Sequence, residues 1–488
     1  MVKIENVTYT YETGKTPSLK NVSLEIKKGE CVLLCGQSGC GKSSLIRLLN
    51  GMIPNFYDGK LKGTILVDSN ETQDQPMYQI AKKVGTVFQN PRTQFYTVNT
   101  TSEIAFGLEN MGVDSKDIQK RVRKTAQELQ IEDLMDRSIF ELSGGEKQII
   151  AFASVYAMNP EIYVLDEPSA NLDFSAVERM KKILELLKKK GKTIIVAEHR
   201  IYYLKDLMDR AVYMDHGEII REYTVDELSN MSLDEHEKTG IRILELSSFP
   251  ICAIQRKKDY KETLFFTYFE AFYGKKRALL IEHAEFHAGE ICAIIGHNGA
   301  GKSTFVSAIS GIMKKTDGYS ILNSDLIKRK NRLNMSYVVM QEVNHQLFMD
   351  SVEEEITLGA EETSEIILNT IMEELDIDML KERHPMTLSG GQKQRVIIAS
   401  AKFSGKKILL FDEPTSGLDF THMKKTVQLL KSLCDENTFL FVVTHDYEFI
   451  VSACDAVTRI EKGRLIEQYS LNIEGIKKLK NFFEGESI

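Results

Sequence analysis

Two patterns of hydrophobic and polar residues follow one another along the chain, and both patterns occur twice. Segments in which apolar and polar residues alternate, such as 3–9 and 22–26, predict antiparallel strands with one buried face. Continuous apolar runs predict the buried parallel strands of an α/β sheet, at 31–35, 162–165, 193–197, 291–295, 408–411 and 439–443. Mostly helical patterns over about 101–140 and 351–386 predict a smaller helical subdomain in each half.

The same short motifs occur in both halves, in the same order. Each half carries a glycine-rich loop of the pattern G-x-x-x-x-G-K-[ST], a later glutamine, a Leu-Ser-Gly-Gly segment, an Asp-Glu pair and a histidine. From the Leu-Ser-Gly-Gly serine to the histidine, the two sets keep a constant offset of 246 residues (143 to 389, 167 to 413 and 199 to 445). A repeat of this length indicates two whole domains of one kind.

The length of the chain supports this interpretation. A chain of 488 residues is too long to form one hydrophobic core and suits two domains of about 220–240 residues each. We predict a first domain over 1–235, a linker over 236–260 and a second domain over 261–488, because residues 226–239 are polar. A helical tail of the first domain is an equally good interpretation of 226–245.

Composition narrows the class of protein. Hydrophobic residues make up 42% of the chain and charged residues 27%, as in folded soluble proteins. The net charge of −8 argues against nucleic acid as the main partner. Seven cysteines without a C-x-x-C pair fit a reducing cytosol. The first residues lack a signal-peptide core, and no apolar run approaches the ~18–20 residues that span a bilayer. We therefore expect a cytosolic chain that reaches a membrane only through a partner.

The glycine-rich loops predict phosphate binding. Each loop follows an apolar run and leads into a helix, so that backbone N–H groups and the helix N-terminus can surround a β-phosphate. Lys42 and Lys302 would offset charge on the β- and γ-phosphates, and the hydroxyl groups of the next serines would hold Mg²⁺. The predicted nucleotide-binding residues are Gly36, Gln37, Ser38, Gly39, Cys40, Gly41, Lys42, Ser43 and Ser44, and Gly296, His297, Asn298, Gly299, Ala300, Gly301, Lys302, Ser303 and Thr304.

Carboxylates at two strand ends predict metal binding and water activation. The Asp of each Asp-Glu pair would bind Mg²⁺, and the Glu would polarise the attacking water as a general base. The glutamine could reach the metal and the water, and the histidine could hydrogen-bond the γ-phosphate. The predicted catalytic residues are Glu167, Glu413, His199, His445, Gln89 and Gln341, and the predicted metal ligands are Ser43, Gln89, Asp166, Ser303, Gln341 and Asp412.

The Leu-Ser-Gly-Gly segments predict a second anion site at a helix start. Each segment presents a serine hydroxyl and two glycines ahead of a helical pattern. By itself the tetrapeptide is a weak signal, but its place between a phosphate-binding loop and an Asp-Glu pair is close to diagnostic. The predicted residues are Ser143, Gly144, Gly145, Ser389, Gly390 and Gly391.

In this order, the motifs resemble those of the ATP-binding cassette (ABC) ATPases over nearly all of both halves. The resemblance implies an α/β fold of two tandem P-loop domains, each with a mixed or parallel sheet core, an antiparallel β subdomain and a helical subdomain. It implies two ATP molecules with Mg²⁺ between domains paired head to tail, each P-loop facing the other domain's Leu-Ser-Gly-Gly segment. Tyr11 and Tyr273 stand where this family stacks an aromatic ring on adenine, and the alternative is that each is an ordinary strand residue.

Within this family the chain resembles the ATPases of energy-coupling factor (ECF) transporters. The resemblance rests on the segments after Gln89 and Gln341, on 50–57 (Asn-Gly-Met-Ile-Pro-Asn-Phe-Tyr) and on 197–200 (Ala-Glu-His-Arg). It implies an ATP-hydrolysing subunit at the cytoplasmic face of a bacterial membrane, powering uptake of a vitamin, a vitamin precursor or a metal ion. The implied partners are a transmembrane T subunit and a small substrate-binding S subunit, with no nucleic acid.

Two alternatives stay open at this point. The chain could serve another ABC importer, or it could be a soluble tandem ATPase outside transport. A tandem ATPase acting on ribosomes would predict a long, strongly charged linker, whereas residues 226–260 are short and not strongly basic.

The segments that follow the two glutamines predict a docking surface. Phe95, Tyr96, Leu347 and Phe348 are apolar residues in polar surroundings, suited to seating a short helix of a membrane partner. Acidic residues follow at Glu103 and at 353–355, and we predict that they pair with arginines of that helix. In the alternative interpretation, the aromatic residues pack on the helical subdomain.

Overall fold

The computed structural model describes residues 2–170, 172–249, 260–360 and 364–485. These residues form two compact units, one within 2–249 together with 417–421 and the other within 260–416 together with 422–485. Residues 236–249 therefore group with the first unit, while 250–259 lie outside the described residues. The domain bounds given above stay predictions.

The first unit contains ten strands and nine α-helices among its described residues. The strands are β1 (Val2–Tyr11), β2 (Leu19–Ile26), β3 (Cys31–Cys35), β4 (Gly59–Val67), β5 (Asn70–Glu71), β6 (Val84–Val87), β7 (Ile162–Asp166), β8 (Thr193–Ala197), β9 (Arg210–Asp215) and β10 (Glu218–Tyr223). The helices are α1 (Lys42–Leu49), α2 (Met52–Asn55), α3 (Met77–Lys83), α4 (Thr100–Asn110), α5 (Ser115–Leu129), α6 (Gly144–Met158), α7 (Phe174–Lys189), α8 (Val225–Ser229) and α9 (Leu233–Thr239). An antiparallel sheet has the order β2-β1-β4-β5, and a mixed sheet has the order β10-β9-β3-β8-β7-β6.

The second unit repeats this plan. Its strands are β11 (Thr263–Tyr273), β12 (Lys276–His287), β13 (Ile291–Ile295), β14 (Thr316–Leu322), β15 (Asp325–Leu326), β16 (Ser336–Val339), β17 (Ile408–Asp412), β18 (Phe439–Val443), β19 (Ala456–Glu461) and β20 (Arg464–Ser470). Its helices are α10 (Lys302–Ile309), α11 (Arg329–Met335), α12 (Val352–Thr357), α13 (Glu365–Glu374), α14 (Gly390–Phe403), α15 (Phe420–Leu433), α16 (Tyr447–Ala453) and α17 (Ile473–Glu484). Here one bridge, Leu280 to Arg464, joins the antiparallel and mixed portions into a single ten-stranded sheet.

The parallel strands are buried on both faces, as their continuous apolar sequences predict. In β3, Leu33 packs with the helices on one side of the sheet, while Val32 and Leu34 pack with α1 and the antiparallel sheet on the other. The same alternation holds along β7 and β8. Because both faces are covered, the carboxyl ends of β3, β7 and β8 meet at one protected edge, where the predicted site motifs follow.

The predicted fold class is confirmed. The alternating segments lie in antiparallel strands, and the apolar runs form parallel strands. The predicted helical stretches contain α4 and α5 in the first unit and α12 and α13 in the second. Among the described helices, none has the length and apolar composition needed to cross a membrane.

Both antiparallel sheets contain a bulge that requires a glycine. The register of β1 against β4 shifts after Glu5, and that of β11 against β14 shifts after Thr267. Opposite these shifts, Gly63 and Gly318 have φ angles of +90° and +87°. A Cβ on Gly318 would lie 2.0 Å from the carbonyl oxygen of Tyr268, so any larger residue must move the neighbouring strand.

This crowding predicts that Gly318→Ala destabilises the second unit. We expect a loss of at least about 2 kcal/mol, because a left-handed alanine and a backbone clash both oppose folding. Gly274→Ala is the matched control, since Gly274 also has a positive φ, +61°, but nothing lies within 4 Å of its Cβ position. Differential scanning calorimetry should show a clearly lower transition for Gly318→Ala than for Gly274→Ala, and equal transitions would contradict the prediction.

Candidate functional site

In the first unit, the glycine-rich loop between β3 and α1 folds tightly around a lysine. Gly36 has a φ of +138°, and a Cβ there would lie 2.1 Å from the carbonyl oxygen of Met214, so the position accepts only glycine. Lys42 is 5% exposed, and its Nζ donates to the carbonyl oxygens of Gly36 at 2.9 Å and Gln37 at 3.1 Å. The ammonium group is therefore held within the loop.

The second unit builds the same loop between β13 and α10. Gly296 has a φ of +150°, and a Cβ there would lie 2.0 Å from the carbonyl oxygen of Ile460. The Nζ of Lys302 donates to the carbonyl oxygens of Gly296 at 2.8 Å and His297 at 3.0 Å. The loop and the first helical turn hold the other predicted residues, namely Asn298, Gly299, Ala300, Gly301, Ser303 and Thr304.

The Asp-Glu pairs follow the buried strands through a sharp turn. Parallel pairing places Asp166, the last residue of β7, opposite Ala197 of β8, whose carbonyl oxygen accepts the N–H of Glu167 at 2.8 Å. Glu167 has a φ of +44°, and Glu413 in the second unit has a φ of +50°. Left-handed backbone is costly for a glutamate and recurs at functional sites, so this duplicated turn marks both residues.

The turn brings the predicted catalytic residues of the first unit together. The Oε1 of Glu167 lies 3.5 Å from the Nε2 of His199, and its Oε2 accepts a 2.7 Å hydrogen bond from the Nε2 of Gln89. Nearby, the hydroxyl of Ser43 donates to the Oδ1 of Asp166 at 3.2 Å. Hence five of the predicted catalytic and metal residues form three contacts at the strand edge.

Burial dominates the electrostatics of these carboxyl groups. Burial, reinforced by the nearby carboxylate of Glu198 and opposed by Lys42, raises the pKa of Glu167 to about 8. Burial also raises the pKa of Asp166, against the hydrogen bond from Ser43. Both carboxyl groups therefore lie where added positive charge is favourable.

The corresponding residues of the second unit repeat part of this geometry. The Oε1 of Glu413 lies 3.5 Å from the Nε2 of His445, and the backbone N–H of His445 donates to the Oε2 of Glu413 at 3.4 Å. Burial raises the pKa of Asp412, while Lys302 lowers it. The side chains of Ser303 and Gln341 are exposed.

A cavity of 600 Å³ lies over the glycine-rich loop of the first unit. The predicted residues among those lining it are Ser38, Gly39, Gly41, Lys42, Ser43, Ser44 and Glu167. The cavity thus joins the loop to the carboxylate at the end of β7. Its donor set fits a magnesium phosphate, because the hydroxyl of Ser43 and the carboxylate of Asp166 are oxygen ligands and the loop supplies N–H groups.

The Leu-Ser-Gly-Gly segments begin long helices. Ser143 caps α6, its Oγ accepting the N–H of Glu146, whose carboxylate in turn accepts the N–H of Ser143 at 2.7 Å. Ser389 and Gln392 form the same reciprocal cap at the start of α14. Gly144, Gly145, Gly390 and Gly391 form the first turns. The side chains that contact Glu167 and Glu413 within each unit are the histidines and Gln89, and not these serines. Anion binding by Ser143 and Ser389 therefore stays a prediction.

The two tyrosines proposed for adenine stacking differ in their surroundings. The hydroxyl of Tyr11 lies 3.1 Å from the Oγ of Ser44 and accepts a 2.9 Å hydrogen bond from Arg47. Tyr273 is 61% exposed at the end of β11. Tyr11 is therefore linked to the helix after the glycine-rich loop, whereas Tyr273 extends into solvent.

The structure overturns the expectation that Glu103 pairs with a partner protein. Glu103 is 2% exposed, and its Oε2 accepts hydrogen bonds from the backbone N–H groups of Tyr96 at 3.1 Å and Thr97 at 2.8 Å. Glu355 is likewise buried and accepts the N–H groups of Phe348 and Met349 at 2.7 and 2.9 Å. Both glutamates hold the segment that precedes their helix, and so they cannot receive an arginine from outside.

The other two acidic residues of the second segment lie nearer the surface. Glu353 forms an ion pair with Lys381 at 3.0 Å, and Glu354 is exposed. Of the acidic residues proposed for pairing with a partner, Glu354 is thus the one with an exposed side chain.

Sequence reasoning also missed the residues on either side of His199. Glu198 is 2% exposed and Arg200 is half-buried, and both contact the turn that follows Glu167. The available signal was the comparison of the copies, since Glu-His-Arg in the first half stands against Thr-His-Asp in the second.

Comparison with known proteins places this arrangement in a family. The sequence pattern described as ABC transporter matches residues 19–170 and 283–416. A protein of Treponema denticola, provisionally named an ABC transporter ATP-binding protein, is 40% identical over 473 residues, which cover 96% of this chain and 97% of that protein. YkoD of Bacillus subtilis, provisionally named an HMP/thiamine import ATP-binding protein, is 30% identical over 94% of this chain and 89% of its own length.

A solved structure gives the same result for the fold. The archaeal ribosome recycling factor aABCE1, solved in complex with the ribosomal stalk protein aP1, matches with a TM-score of 0.68. The match covers 98% of this chain and 92% of that chain at 22% sequence identity, which shows the shared fold alone.

The chain belongs to the ABC transporter family. It is an ATPase with two fused nucleotide-binding domains, and ATPases of this family bind ATP with Mg²⁺.

The buried carboxylate of Glu103 leads to a prediction about the folding stability of the first unit. Glu103→Ala leaves two backbone N–H groups without their acceptor, and we expect it to cost about 1–3 kcal/mol of folding free energy. The matched control is Glu109→Ala, which removes an exposed carboxylate from the same helix α4. Thermal unfolding followed by circular dichroism should separate the two variants, and a Glu103→Ala transition no lower than that of Glu109→Ala would contradict the assigned role.

Proposed function

We propose that the chain is the ATP-hydrolysing subunit of an importer of the ECF type. In this role it powers uptake of a vitamin, a vitamin precursor or a metal ion through separate membrane subunits. The observation that carries the proposal is the duplicated Glu–His pair at 3.5 Å, present in a chain that is similar over 94% of its length to a protein provisionally named as an import ATP-binding protein. Two intact Glu–His pairs favour hydrolysis in both halves.

Each part of the site has a distinct chemical role in this proposal. Lys42 and the N–H groups of its loop bind the phosphates, and Ser43 with Asp166 would hold Mg²⁺, which supplies charge neutralisation on the phosphates when bound. Glu167 accepts a proton from the attacking water at its carboxylate, while His199 and Gln89 orient that carboxylate. Lys302, Asp412, Glu413 and His445 have the same roles in the second half. The head-to-tail pairing of the domains stays a prediction.

The proposed general bases provide the first test. Changing both Glu167→Gln and Glu413→Gln should lower kcat for ATP hydrolysis at least about 100-fold, because the amide cannot accept the proton. ATP affinity, measured by equilibrium dialysis, should stay within about threefold, since the phosphate-binding loops are unchanged.

The control for this test is Glu161→Gln, which makes the same change in an exposed residue just before β7, at the end opposite Asp166. It should leave kcat unchanged. Turnover near the wild-type rate in the double variant would remove both glutamates from the mechanism.

A groove in the first unit supports the proposed membrane partner. It has a volume of 880 Å³ and extends from Gln89 and Asp166 to exposed aromatic side chains. Phe56, Tyr78 and Tyr96 line it and are 68%, 63% and 75% exposed. Large exposed aromatic residues beside a groove are suited to seating an apolar helix, and a groove that includes Gln89 would connect its occupant to the catalytic carboxylate.

The corresponding segment of the second unit exposes Phe348, which is 71% exposed, while Leu347 is buried. The buried carboxylates of Glu103 and Glu355 hold the backbone of these two segments by accepting hydrogen bonds from its N–H groups. The aromatic side chains of Tyr96 and Phe348 are thus presented on anchored backbone, which lowers the entropy lost when a partner binds.

The docking assignment predicts a selective loss of membrane recruitment. Replacing both Tyr96→Ser and Phe348→Ser should lower the fraction of the chain bound to native membrane vesicles at least about fivefold, as expected for losing two aromatic anchors. Basal ATPase activity of the isolated chain should stay within about twofold, because neither side chain contacts the carboxylates or the glycine-rich loops.

Two controls make the result specific. Tyr319→Ser removes a tyrosine that is 56% exposed on the antiparallel sheet of the second unit, and it should not alter recruitment. Protein-free liposomes of the same lipids should not recruit the wild-type chain. Unchanged recruitment of the double variant, or a parallel loss of ATPase activity, would refute the docking assignment.

A further inference from the structure

Charged residues flank the histidine of the first copy, where the second copy has different residues. His199 lies between Glu198 and Arg200, whereas His445 lies between Thr444 and Asp446. The residue before the histidine is held in the same way in both copies, because the N–H of Glu198 donates to the carbonyl oxygen of Leu34 at 3.3 Å and that of Thr444 to the carbonyl oxygen of Ile294 at 3.4 Å. After the histidine the copies differ, with a 3-10 turn at Tyr202–Leu204 in the first copy and helix α16 in the second.

Glu198 is almost fully buried and accepts three hydrogen bonds. Its Oε2 accepts the backbone N–H of Ser169 at 3.1 Å and the hydroxyl of Tyr203 at 3.0 Å. Its Oε1 accepts the backbone N–H of His199 at 2.8 Å. One carboxylate thus joins the end of β8 to the turn after β7, two segments that are separate in sequence.

Arg200 contacts the same turn from the other side of the histidine. Its Nη2 donates to the carbonyl oxygen of Ser169 and also to that of Leu172 at 3.5 Å. The N–H of Ser169 is bound by a carboxylate and its C=O by a guanidinium, so both backbone groups of this residue are fixed by charged side chains.

Ser169 belongs to the turn that carries Glu167. The N–H of Ala170 donates to the carbonyl oxygen of Glu167 at 3.3 Å, and the N–H of Leu172 donates to that of Ser169 at 3.1 Å. Fixing Ser169 therefore restrains the left-handed backbone of Glu167 two residues earlier. The consequence is a more tightly held carboxylate beside His199.

The second copy uses the corresponding groups differently. There the N–H of His445 donates to the Oε2 of Glu413 at 3.4 Å, whereas Glu198 takes the N–H of His199 in the first copy. Asp446 caps α16 by accepting the N–H of Phe449 at 3.2 Å. Burying a carboxylate is unfavourable, and at the corresponding position of the second copy a buried threonine, Thr444, accepts the N–H of Asp446 at 3.1 Å instead. The carboxylate of Glu198 is thus a feature of the first copy, and its hydrogen bonds point to a role in holding the turn after β7.

We propose that Glu198 and Arg200 are positioning residues that clamp Ser169 and thereby orient the Glu167 carboxylate in the first site. The second site lacks this pair of residues and orients Glu413 by other contacts. The two ATP sites consequently differ in how firmly their general base is held. This inference goes beyond the proposed import function and depends only on the ATPase activity, so its test does not involve a membrane partner.

The test replaces Glu198 by the residue of the other copy, Glu198→Thr, in the wild-type chain and in the Glu413→Gln chain. If the sites turn over independently, the residual kcat of the Glu413→Gln chain belongs to the first site and should fall about tenfold. If the sites alternate, the wild-type kcat should fall by that factor instead. In both cases KM for ATP should stay within about twofold, because no phosphate-binding group changes.

Two further measurements separate positioning from a general loss of structure. Glu198→Gln keeps an acceptor oxygen for the N–H of Ser169 and should recover kcat to within about threefold of the parent chain. Hydrogen exchange of the backbone over 168–173 should accelerate in Glu198→Thr, while strand β18 of the second unit serves as an internal reference and stays unchanged.

Arg200 supplies an independent variant. Arg200→Ala should lower kcat in the same direction, and the Glu198→Thr/Arg200→Ala double variant should lose less than the product of the single losses, because both residues hold Ser169. The proposal is overturned if kcat falls in neither background, if KM rises in proportion, if Glu198→Gln is as impaired as Glu198→Thr, if exchange over 168–173 is unchanged, or if the two losses multiply.

Discussion

Each candidate site depends on the parallel pairing of two buried strands, β7 with β8 and β17 with β18. The pairing places Asp166 opposite Ala197 and Asp412 opposite Val443. In each case the carbonyl oxygen of the partner residue accepts the N–H of the next glutamate at 2.8 Å. A slip of one residue would exchange the side chains packed on the two buried faces and would move the glutamate away from the histidine that follows the neighbouring strand. The register therefore places the glutamate beside its histidine.

This dependence explains which features the two halves share. The glycine-rich loop, the left-handed glutamate and the reciprocal cap at the Leu-Ser-Gly-Gly serine follow from backbone geometry, and both copies have them. Several side chains around these shared features have diverged. Tyr11 is bound to Ser44 whereas Tyr273 is exposed, and Glu198 corresponds to Thr444.

Much of the fold could be predicted from the sequence because its signals are local. Continuous apolar runs predict buried parallel strands, and the glycine-rich pattern predicts its own strand–loop–helix setting. The parts that could not be predicted depend on contacts between distant segments. The role of Glu198 appears only once the chain brings Ser169, 29 residues earlier, to its carboxylate. A single bridge from Leu280 to Arg464 likewise joins the sheets of the second unit, and no local pattern encodes it.

Glu103 shows why an acidic residue near a docking segment is ambiguous in sequence. A carboxylate at the start of a helix is favourable both in solvent and as an acceptor for backbone N–H groups, so the pattern alone cannot distinguish the two settings. The same arrangement at Glu355 resolves the ambiguity, because two copies that have otherwise diverged both bury this carboxylate under their aromatic residue. Glu103 and Glu355 thus have a structural role. Recognition of a partner at the proposed docking surface would depend on the exposed rings of Tyr96 and Phe348.

The burial of the proposed general base also constrains when it can act. Burial and the neighbouring carboxylate of Glu198 together raise the pKa of Glu167 to about 8, so the group tends to keep its proton near neutral pH. Positive charge beside Asp166 would act in the opposite direction and favour the ionised, basic form. The same burial that would make Glu167 a strong base therefore makes its protonation depend on the charge brought to the neighbouring aspartate. An exposed glutamate would have neither the raised pKa nor this sensitivity to neighbouring charge.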